Sequence, residues 1–195
     1  MIDIVLLWVD GNDPVWQAEY AKYAPCVKGD KREVRFRDWN NLRFLFRGIE
    51  KYAPWVGKVH FVTCGHAPEW LNLEAPKLHF VKHADFIPAE YLPTFNCNPI
   101  EMNIHRIKGL SDHFIYFNDD TFLIDHVVEE RFFRDGLPCD IAALNAMQPN
   151  NSGIDHIICN DLIVINKYFP KKDLLKRHLG KWLNVRYASQ WYRTL

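Results

Sequence analysis

The chain has 195 residues, a length that fits one domain, and 48% of them are hydrophobic against 25% charged. Such a composition buries a real core, which excludes a disordered chain or a fibrous repeat. Lys plus Arg and Asp plus Glu are equal at 24 each, so the strongly basic balance of a nucleic-acid-binding domain is missing and we expect no nucleic-acid partner.

Charge and cysteine usage add two expectations. Residues 167–195 hold eight Lys and Arg against one Asp, so a basic tail follows an acidic body. The five cysteines are odd in number and widely spread, which favours reduced thiols over a disulfide framework or a zinc site. With no secretory signal and no apolar run long enough to cross a bilayer, the sequence predicts a cytoplasmic protein.

The predicted elements alternate between strands and helices along the chain. Apolar, β-branched runs bounded by turn-forming residues predict strands at residues 2–9, 59–63, 78–81, 114–117, 141–144 and 162–165. Apolar residues at helical spacing predict helices at residues 16–23, 38–53, 99–108 and 171–183, the second of them capped by Asp38. This pattern indicates one α/β domain over residues 1–195, with a mainly parallel sheet that helices cover on both faces.

Two of the predicted strands end in acidic residues. The first runs into Asp10, with Asp13 close behind, and the fourth runs into Asp119 and Asp120. Ligands of open α/β sheets bind beyond the carboxyl ends of the strands, where these carboxylates would converge on Mg²⁺ or Mn²⁺. Because adjacent side chains on an extended chain point apart, Asp119 and Asp120 are expected to play unequal roles. The alternative is that both segments are simply turns, which favour the same residues.

Two further motifs carry candidate chemistry. Arg37, together with Arg35, lies just before a predicted helix N-terminus, where a guanidinium would bind phosphate; the alternative is a surface ion pair with Glu33. Glu101 and His105 are four residues apart, so a helix would bring them to one face as a carboxylate and the imidazole base that it orients. An exposed ion pair would look the same in the sequence.

At this point the chain resembles a known family. Residues 3–14, Asp-Ile-Val-Leu-Leu-Trp-Val-Asp-Gly-Asn-Asp-Pro, are similar to the opening block of the Stealth proteins, which are capsular-polysaccharide sugar-1-phosphate transferases related to lysosomal-enzyme N-acetylglucosamine-1-phosphotransferase. Segments of the family's second block follow in order at residues 35–38, 49–55, 68–73, 92–96, 105–111 and 114–120. Residues 181–184 and 193–195 resemble the bacterial branch.

The resemblance implies a fold like that of nucleotide-sugar transferases and a defined reaction. A nucleotide-diphosphate sugar, UDP-linked, would give its sugar-1-phosphate to a hydroxyl of a capsular or exopolysaccharide acceptor and release the nucleoside monophosphate. The resemblance makes His105 an active-site candidate and Asp10 a metal or diphosphate residue; with Glu101 from the spacing argument, the candidate catalytic residues are Asp10, Glu101 and His105. The implied substrate- and phosphate-binding residues are Gly11, Arg37, Asn96, Arg106 and Asn118. The implied ligands of Mg²⁺ or Mn²⁺ are Asp119 and Asp120.

Alternatives stay open beside this prediction. The later blocks of the family are not found, so we expect either a truncated chain or one that needs a partner. A metal-dependent glycosyltransferase would use the same acids but release UDP. A non-catalytic remnant would bind glycan or nucleotide without turnover. The basic tail over residues 167–195 is a candidate for peripheral contact with the inner face of the membrane or with the capsule machinery.

Overall fold

A computed structural model of the chain describes residues 1–26, 36–139, 154–177 and 179–182. The chain divides into two compact units, residues 1–139 and residues 140–195. The sequence-based expectation of a single domain over residues 1–195 stays a prediction.

The first unit is built on a four-stranded parallel sheet in the order β3-β2-β1-β4. Its strands are β1 (Ile2–Leu7), β2 (Val59–Thr63), β3 (Leu78–Lys82) and β4 (His113–Phe117). In the register of the sheet, Leu6 lies opposite Phe61 on one side and Phe117 on the other. All four strands run the same way, so their carboxyl ends meet at one edge and β1 and β4 are direct neighbours.

Short helices connect these strands. They are α1 (Pro14–Tyr23), α2 (Leu42–Tyr52), α3 (His83–Phe86) and α4 (Cys97–Asn103), with 3₁₀ turns at Ala24–Cys26, Ala89–Tyr91, Ile104–Arg106 and Glu129–Arg131. A two-stranded antiparallel hairpin, β5 (Phe133–Arg134) with β6 (Leu137–Pro138), follows. The predicted cap of α2 is wrong, because Asn41 occupies that position and Asp38 Oδ1 instead accepts the N–H of Asn40 at 2.7 Å.

Alternating side chains of β1 enter two separate hydrophobic clusters. Ile4 and Leu6 pack on one face with the buried side of α2, and Val5 packs on the other face with Ile100 and Ile104. Strands buried on both faces need apolar residues throughout, which is why β1 reads as a continuous apolar run. Each such side chain contributes about 1.5–3 kcal/mol by leaving water. The predicted α/β fold with both faces of a parallel sheet covered is confirmed; a likeness to nucleotide-sugar transferases stays a prediction.

The described part of the second unit is helical. It contains α5 (Ile154–Tyr168), α6 (Lys171–Arg177) and α7 (Leu179–Trp182), and the last two agree with the predicted helical tail. The predicted strand at residues 162–165 is wrong, since these residues lie inside α5: a four-residue apolar run is too short for its periodicity to separate strand from helix. The predicted strand at 141–144 lies outside the described residues. No helix within the described ranges is long and apolar enough to cross a membrane.

Candidate active site at the carboxyl end of the sheet

A cavity of about 210 Å³ opens at the carboxyl ends of β1 and β4. Three of the predicted site residues line it: Asn96, Asn118 and Asp119. Much of the remaining wall is aromatic, formed by Trp8, Trp16, Phe36, Phe95 and Tyr116. The parallel topology therefore places the ends of β1 and β4 side by side where sheet geometry predicts a ligand site, but of the four acids expected to converge there only Asp119 lines the cavity.

Asp119 and Asp120 differ in environment. Asp119 is half-buried against the cavity, whereas Asp120 is exposed. Burial raises the pKa of the Asp119 carboxyl, and the charges of Asp120 and Asp38 raise it further. An ionised Asp119 is thus short of compensating positive charge. Within the described residues, no three His, Cys, Asp or Glu side chains are arranged as a group that could hold a metal ion by themselves.

Asp10 is engaged in a local turn. Its Oδ1 accepts the N–H of Asn12 at 2.8 Å, and its own N–H donates to Nε2 of His66 at 2.9 Å. Asp13 caps α1 by accepting the N–H of Val15 at 2.9 Å. Both carboxylates therefore have the turn and capping contacts that such residues usually make, and Asp10 is not among the residues that line the cavity.

His66 joins these two acids, and sequence reasoning missed it. Its Nδ1 lies 2.9 Å from Asp13 Oδ2, and because its Nε2 accepts from the Asp10 backbone, the hydrogen-bond pattern assigns the ring proton to Nδ1. The His66 hydrogen bond lowers the pKa of Asp13. His66 follows the carboxyl end of β2, so the strand-end argument that selected the acids would have found it.

Glu101 and His105 are not paired as predicted. The α-helix ends at Asn103, and His105 lies exposed in the following 3₁₀ turn, whose tighter winding breaks the i,i+4 alignment. Glu101 Oε1 instead accepts the hydroxyl of Tyr116 at 2.9 Å. Burial and this hydrogen bond raise the pKa of Tyr116, so the phenol stays protonated. Glu101 therefore fastens α4 to β4, two residues before Asn118.

The predicted phosphate-binding arginines are exposed. Arg37 lies with its guanidinium 4.2 Å from the ring centre of Trp39, and α2 begins only at Leu42, so the expected position directly before a helix N-terminus is wrong. Arg106 is exposed at the end of the 3₁₀ turn after α4. Arg35 lies outside the described residues.

Gly11 and Asn96 have clear structural reasons. A Cβ at Gly11 would collide with the backbone carbonyl oxygen of Phe36, so only glycine lets the two segments approach this closely. Asn96 Oδ1 accepts the N–H of Asn98 at 3.1 Å and caps α4, while the residue also lines the cavity. Asn118 is exposed at the cavity, where its side-chain amide is free to meet a ligand.

Two further residues at the cavity were not predicted. Cys64 follows β2, and its Sγ lies 3.5 Å from His66 Nδ1. His83 follows β3 and is half-buried; burial first, and then the nearby His66, lower its pKa to about 4. Both come directly after a strand of the parallel sheet, the same signal that singled out the aspartates.

Comparison with known proteins agrees with this architecture. Residues 2–25 match the model of Stealth protein CR1, conserved region 1, and residues 35–139 match Stealth protein CR2, conserved region 2. The chain is 41% identical over 191 residues to the capsular polysaccharide phosphotransferase WcwK of Streptococcus pneumoniae, covering 96% of this chain and 57% of that protein. It is 45% identical over 180 residues to the receptor polysaccharide phosphotransferase WefC of Streptococcus oralis, covering 90% and 54%.

A shorter relative is covered more fully. The capsular polysaccharide phosphotransferase CpsJ of Streptococcus thermophilus is 44% identical over 192 residues, which are 96% of this chain and 80% of that protein. The chain thus spans little more than half of WcwK and WefC but most of CpsJ. Two matched regions in the family's order, with relatives of this identity over nearly all of its residues, establish that the chain belongs to the Stealth family.

Proposed function

We propose that this chain carries a site for sugar-1-phosphate transfer from a nucleotide-diphosphate sugar, UDP-linked, to a hydroxyl of a capsular or exopolysaccharide acceptor. Relatives named polysaccharide phosphotransferases support the reaction class. The observation that carries the proposal is Asp119, a half-buried carboxylate with a raised pKa in a cavity at the carboxyl ends of neighbouring parallel strands. Perturbed carboxylates in such a cleft are typical of functional sites.

The reaction makes one bond and breaks one bond at phosphorus. The acceptor oxygen bonds to the phosphorus that carries the sugar, and the bond from that phosphorus to the bridging oxygen breaks. The bridging oxygen leaves with the nucleoside monophosphate, and the acceptor proton passes to a base. Such a reaction needs positioning and neutralisation of charge more than covalent help from the protein.

The donor set fits a hard divalent cation. Carboxylate and amide oxygens from Asn118, Asp119 and Asp120 are ligands that Mg²⁺ or Mn²⁺ accepts, and Mg²⁺ is usually held by one or two carboxylates together with substrate phosphates. That mode needs no cluster of three protein acids. When bound, the cation would neutralise diphosphate charge, and it would supply the positive charge that the raised pKa of Asp119 indicates is lacking.

The remaining predicted residues keep their roles as proposals. Asp10 and His105 are the candidates for the base, and Arg37 and Arg106 are exposed cations that would meet phosphate or sugar. Gly11 and Asn96 would shape the donor site through the backbone contacts described above. Because Glu101 accepts a hydrogen bond from the Tyr116 hydroxyl, we assign it the role of positioning Tyr116 and the end of β4.

The basic tail remains a proposed contact with an anionic surface. In α6, the exposed residues Lys172, Lys176 and Arg177 carry positive charge that would meet anionic lipid or the capsule machinery. A cytoplasmic location stays a prediction.

Nucleotide release tests the proposal. Purified protein is incubated with UDP-N-acetylglucosamine or another UDP-sugar, a short capsule-like acceptor, and Mg²⁺ or Mn²⁺, and UMP is separated from UDP. We expect UMP that requires acceptor and metal, that is lost in Asp119→Asn, and that is kept in Asp112→Asn, an exposed acid just before the amino end of β4. Release of UDP would instead indicate a glycosyltransferase. If the protein binds the donor but releases neither UMP nor UDP, the proposal that this chain catalyses the transfer by itself is wrong.

A further inference from the structure

His83 is a titratable cavity residue to which the proposed reaction gives no role. It is half-buried directly after β3 and lines the same cavity as Asp119 and Asn118. Its position follows from the sheet: β3 is parallel to β2 and β1, so its carboxyl end reaches the same edge. The side chain is therefore held by the scaffold rather than by a long loop.

Neither ring nitrogen of His83 has a hydrogen-bond partner among the described residues. Three other histidines on or beside the sheet, His60, His66 and His79, are all hydrogen-bonded. Nε1 of Trp8 is the only fully buried side-chain N or O atom without a partner in the described structure, so the unpaired nitrogens of His83 keep some exposure, and the residue lines the cavity. Unpaired polar atoms that face a cavity are available to a ligand.

The imidazole is uncharged at neutral pH, because burial and His66 disfavour its protonation. A neutral imidazole offers one N–H donor and one lone-pair acceptor. This pair matches a hydroxyl, which also donates and accepts, better than it matches a phosphate, for which a cation is the stronger partner. A ring that resists protonation is also a poor base for the transfer step.

The wall around His83 suits a sugar ring. Trp16 packs 4.9 Å from Phe36 and 5.7 Å from Phe95, centre to centre, so the aromatic side chains support one another. A cavity of about 210 Å³ lies below the roughly 300–1,000 Å³ of pockets for drug-sized ligands and is sized for one ring rather than a whole nucleotide sugar. Ligand pockets of this kind combine apolar walls with a few placed polar groups.

We propose that His83 binds a ring hydroxyl of the donor sugar inside this aromatic cavity and selects an uncharged sugar. The inference rests on the proposed function, since it assumes a nucleotide-sugar donor. A sugar carboxylate would find no positive charge on His83 to compensate it, whereas a hydroxyl finds both a donor and an acceptor. His83 is thus a specificity-determining residue and takes no proton in the reaction.

Binding measurements separate the sugar from the nucleotide. Calorimetry with UDP-glucose, UDP-glucuronic acid and UDP is done on the wild type, His83→Ala, His83→Gln and the control His126→Ala, whose side chain is exposed and outside the cavity. We expect His83→Ala to weaken UDP-glucose by about 3- to 10-fold, the effect of one neutral hydrogen bond, while leaving UDP unchanged. His83→Gln, which keeps a donor and an acceptor, should recover part of the affinity. UDP-glucuronic acid should bind the wild type at least about 10-fold more weakly than UDP-glucose.

Several outcomes overturn the inference. Equal weakening of UDP and UDP-glucose in both His83 variants would indicate a structural or phosphate-binding role. If the His83 variants bind UDP-glucose as tightly as the wild type does, the proposed hydroxyl contact is wrong. If the wild type binds UDP-glucose and UDP-glucuronic acid equally, the proposed selection is wrong. A wild type that binds no nucleotide sugar overturns this inference and the proposed function together, whereas binding without UMP release contradicts the proposed function alone.

Discussion

The two ends of the parallel sheet use the same residue types in opposite ways. At the amino end, Asp3 is 1% exposed, and its oxygens accept the N–H of Lys58 at 2.8 Å and the N–H of Ser111 at 2.9 Å and lie 3.1 Å from His60 Nε2. At the carboxyl end, Asp119 lines an open cavity beside another carboxylate. One end surrounds its buried acid with hydrogen-bond donors, and the other leaves its acid facing a cavity.

The pKa values of the two acids follow from this contrast. Burial raises the pKa of both carboxyls. At Asp3, the hydrogen bonds from Lys58, Ser111 and His60 outweigh burial and hold the pKa below its usual range, whereas at Asp119 the charge of Asp120 adds to burial. Opposite pKa shifts of one residue type on one sheet distinguish a carboxylate whose ionised form stabilises the fold from one whose ionised form costs stability.

Asp119→Asn should separate activity from stability most clearly. We expect UMP release to fall by at least about 10²-fold, since a preorganised charged group at the reacting phosphates is lost. The free energy of unfolding should not fall. A raised folded pKa means that the ionised carboxylate destabilises the protein at pH values above it, and the amide removes that charge. Urea denaturation and the release assay together test this. A variant that still releases UMP would contradict the role of Asp119 in the reaction, and a less stable variant would contradict the cost of its charge to stability.

Asp3→Asn should have the reverse profile. Replacing one carboxylate oxygen by an amide NH₂ leaves a donor facing donors, so we expect a loss of about 3 kcal/mol in the free energy of unfolding, measured with urea. Asp112→Asn, an exposed acid close to Ser111, should change it by less than about 0.5 kcal/mol. Because the Asp3 pKa is lowered on folding, its contribution is present above the ordinary aspartate value and lost as pH falls through the folded pKa. Equal stabilities of the two variants would refute the assignment.

The strand-end argument predicted more of the site than local spacing did. It required only the order of strands and their turn residues, and it placed Asn118 and Asp119 at the cavity that the structure has. His66 and His83 obey the same rule after β2 and β3, and were missed because histidines were searched for metal spacing rather than for strand ends. The fold itself was predictable because both-face burial imposes apolar runs that persist in the sequence.

Local spacing failed where an element ended earlier than expected. The predicted Glu101–His105 pair requires a helix that continues to residue 105, but α4 ends at Asn103. The predicted Asp38 cap requires a helix that begins next to it, but α2 begins only at Leu42. In both cases the side chain makes a different hydrogen bond, Glu101 with Tyr116 and Asp38 with Asn40, and element boundaries are where sequence patterns carry least information. Glu101 instead accepts a hydrogen bond from the hydroxyl of Tyr116, which lies in β4. Residue spacing within α4 cannot predict a contact with another element.

His83 gives the carboxyl end a dependence on pH. Its folded pKa is about 4, against about 6.5 in the unfolded chain, so as pH falls below 6.5 the unfolded state binds a proton that the folded state does not. Stability should therefore fall, by about 2 kcal/mol between pH 8 and pH 5 from this group alone. Urea denaturation of the wild type and of His83→Gln across that range isolates it. The variant should show the shallower dependence, and parallel curves would contradict the burial of a neutral imidazole.

The smallest effect concerns the bond that ties α4 to the acidic end of β4. Tyr116→Phe removes one hydroxyl from Glu101 and should cost about 1 kcal/mol, the usual contribution of a partly buried hydrogen bond. A double-mutant cycle with Glu101→Gln then decides the role of the glutamate. If Glu101 only positions Tyr116 and the neighbouring Asn118, the two single variants should lower UMP release by similar small factors, and the double variant should be no worse than either. If Glu101 is instead the base, Glu101→Gln alone should abolish turnover while Tyr116→Phe remains active, and the hydrogen bond between α4 and β4 would then be dispensable for catalysis.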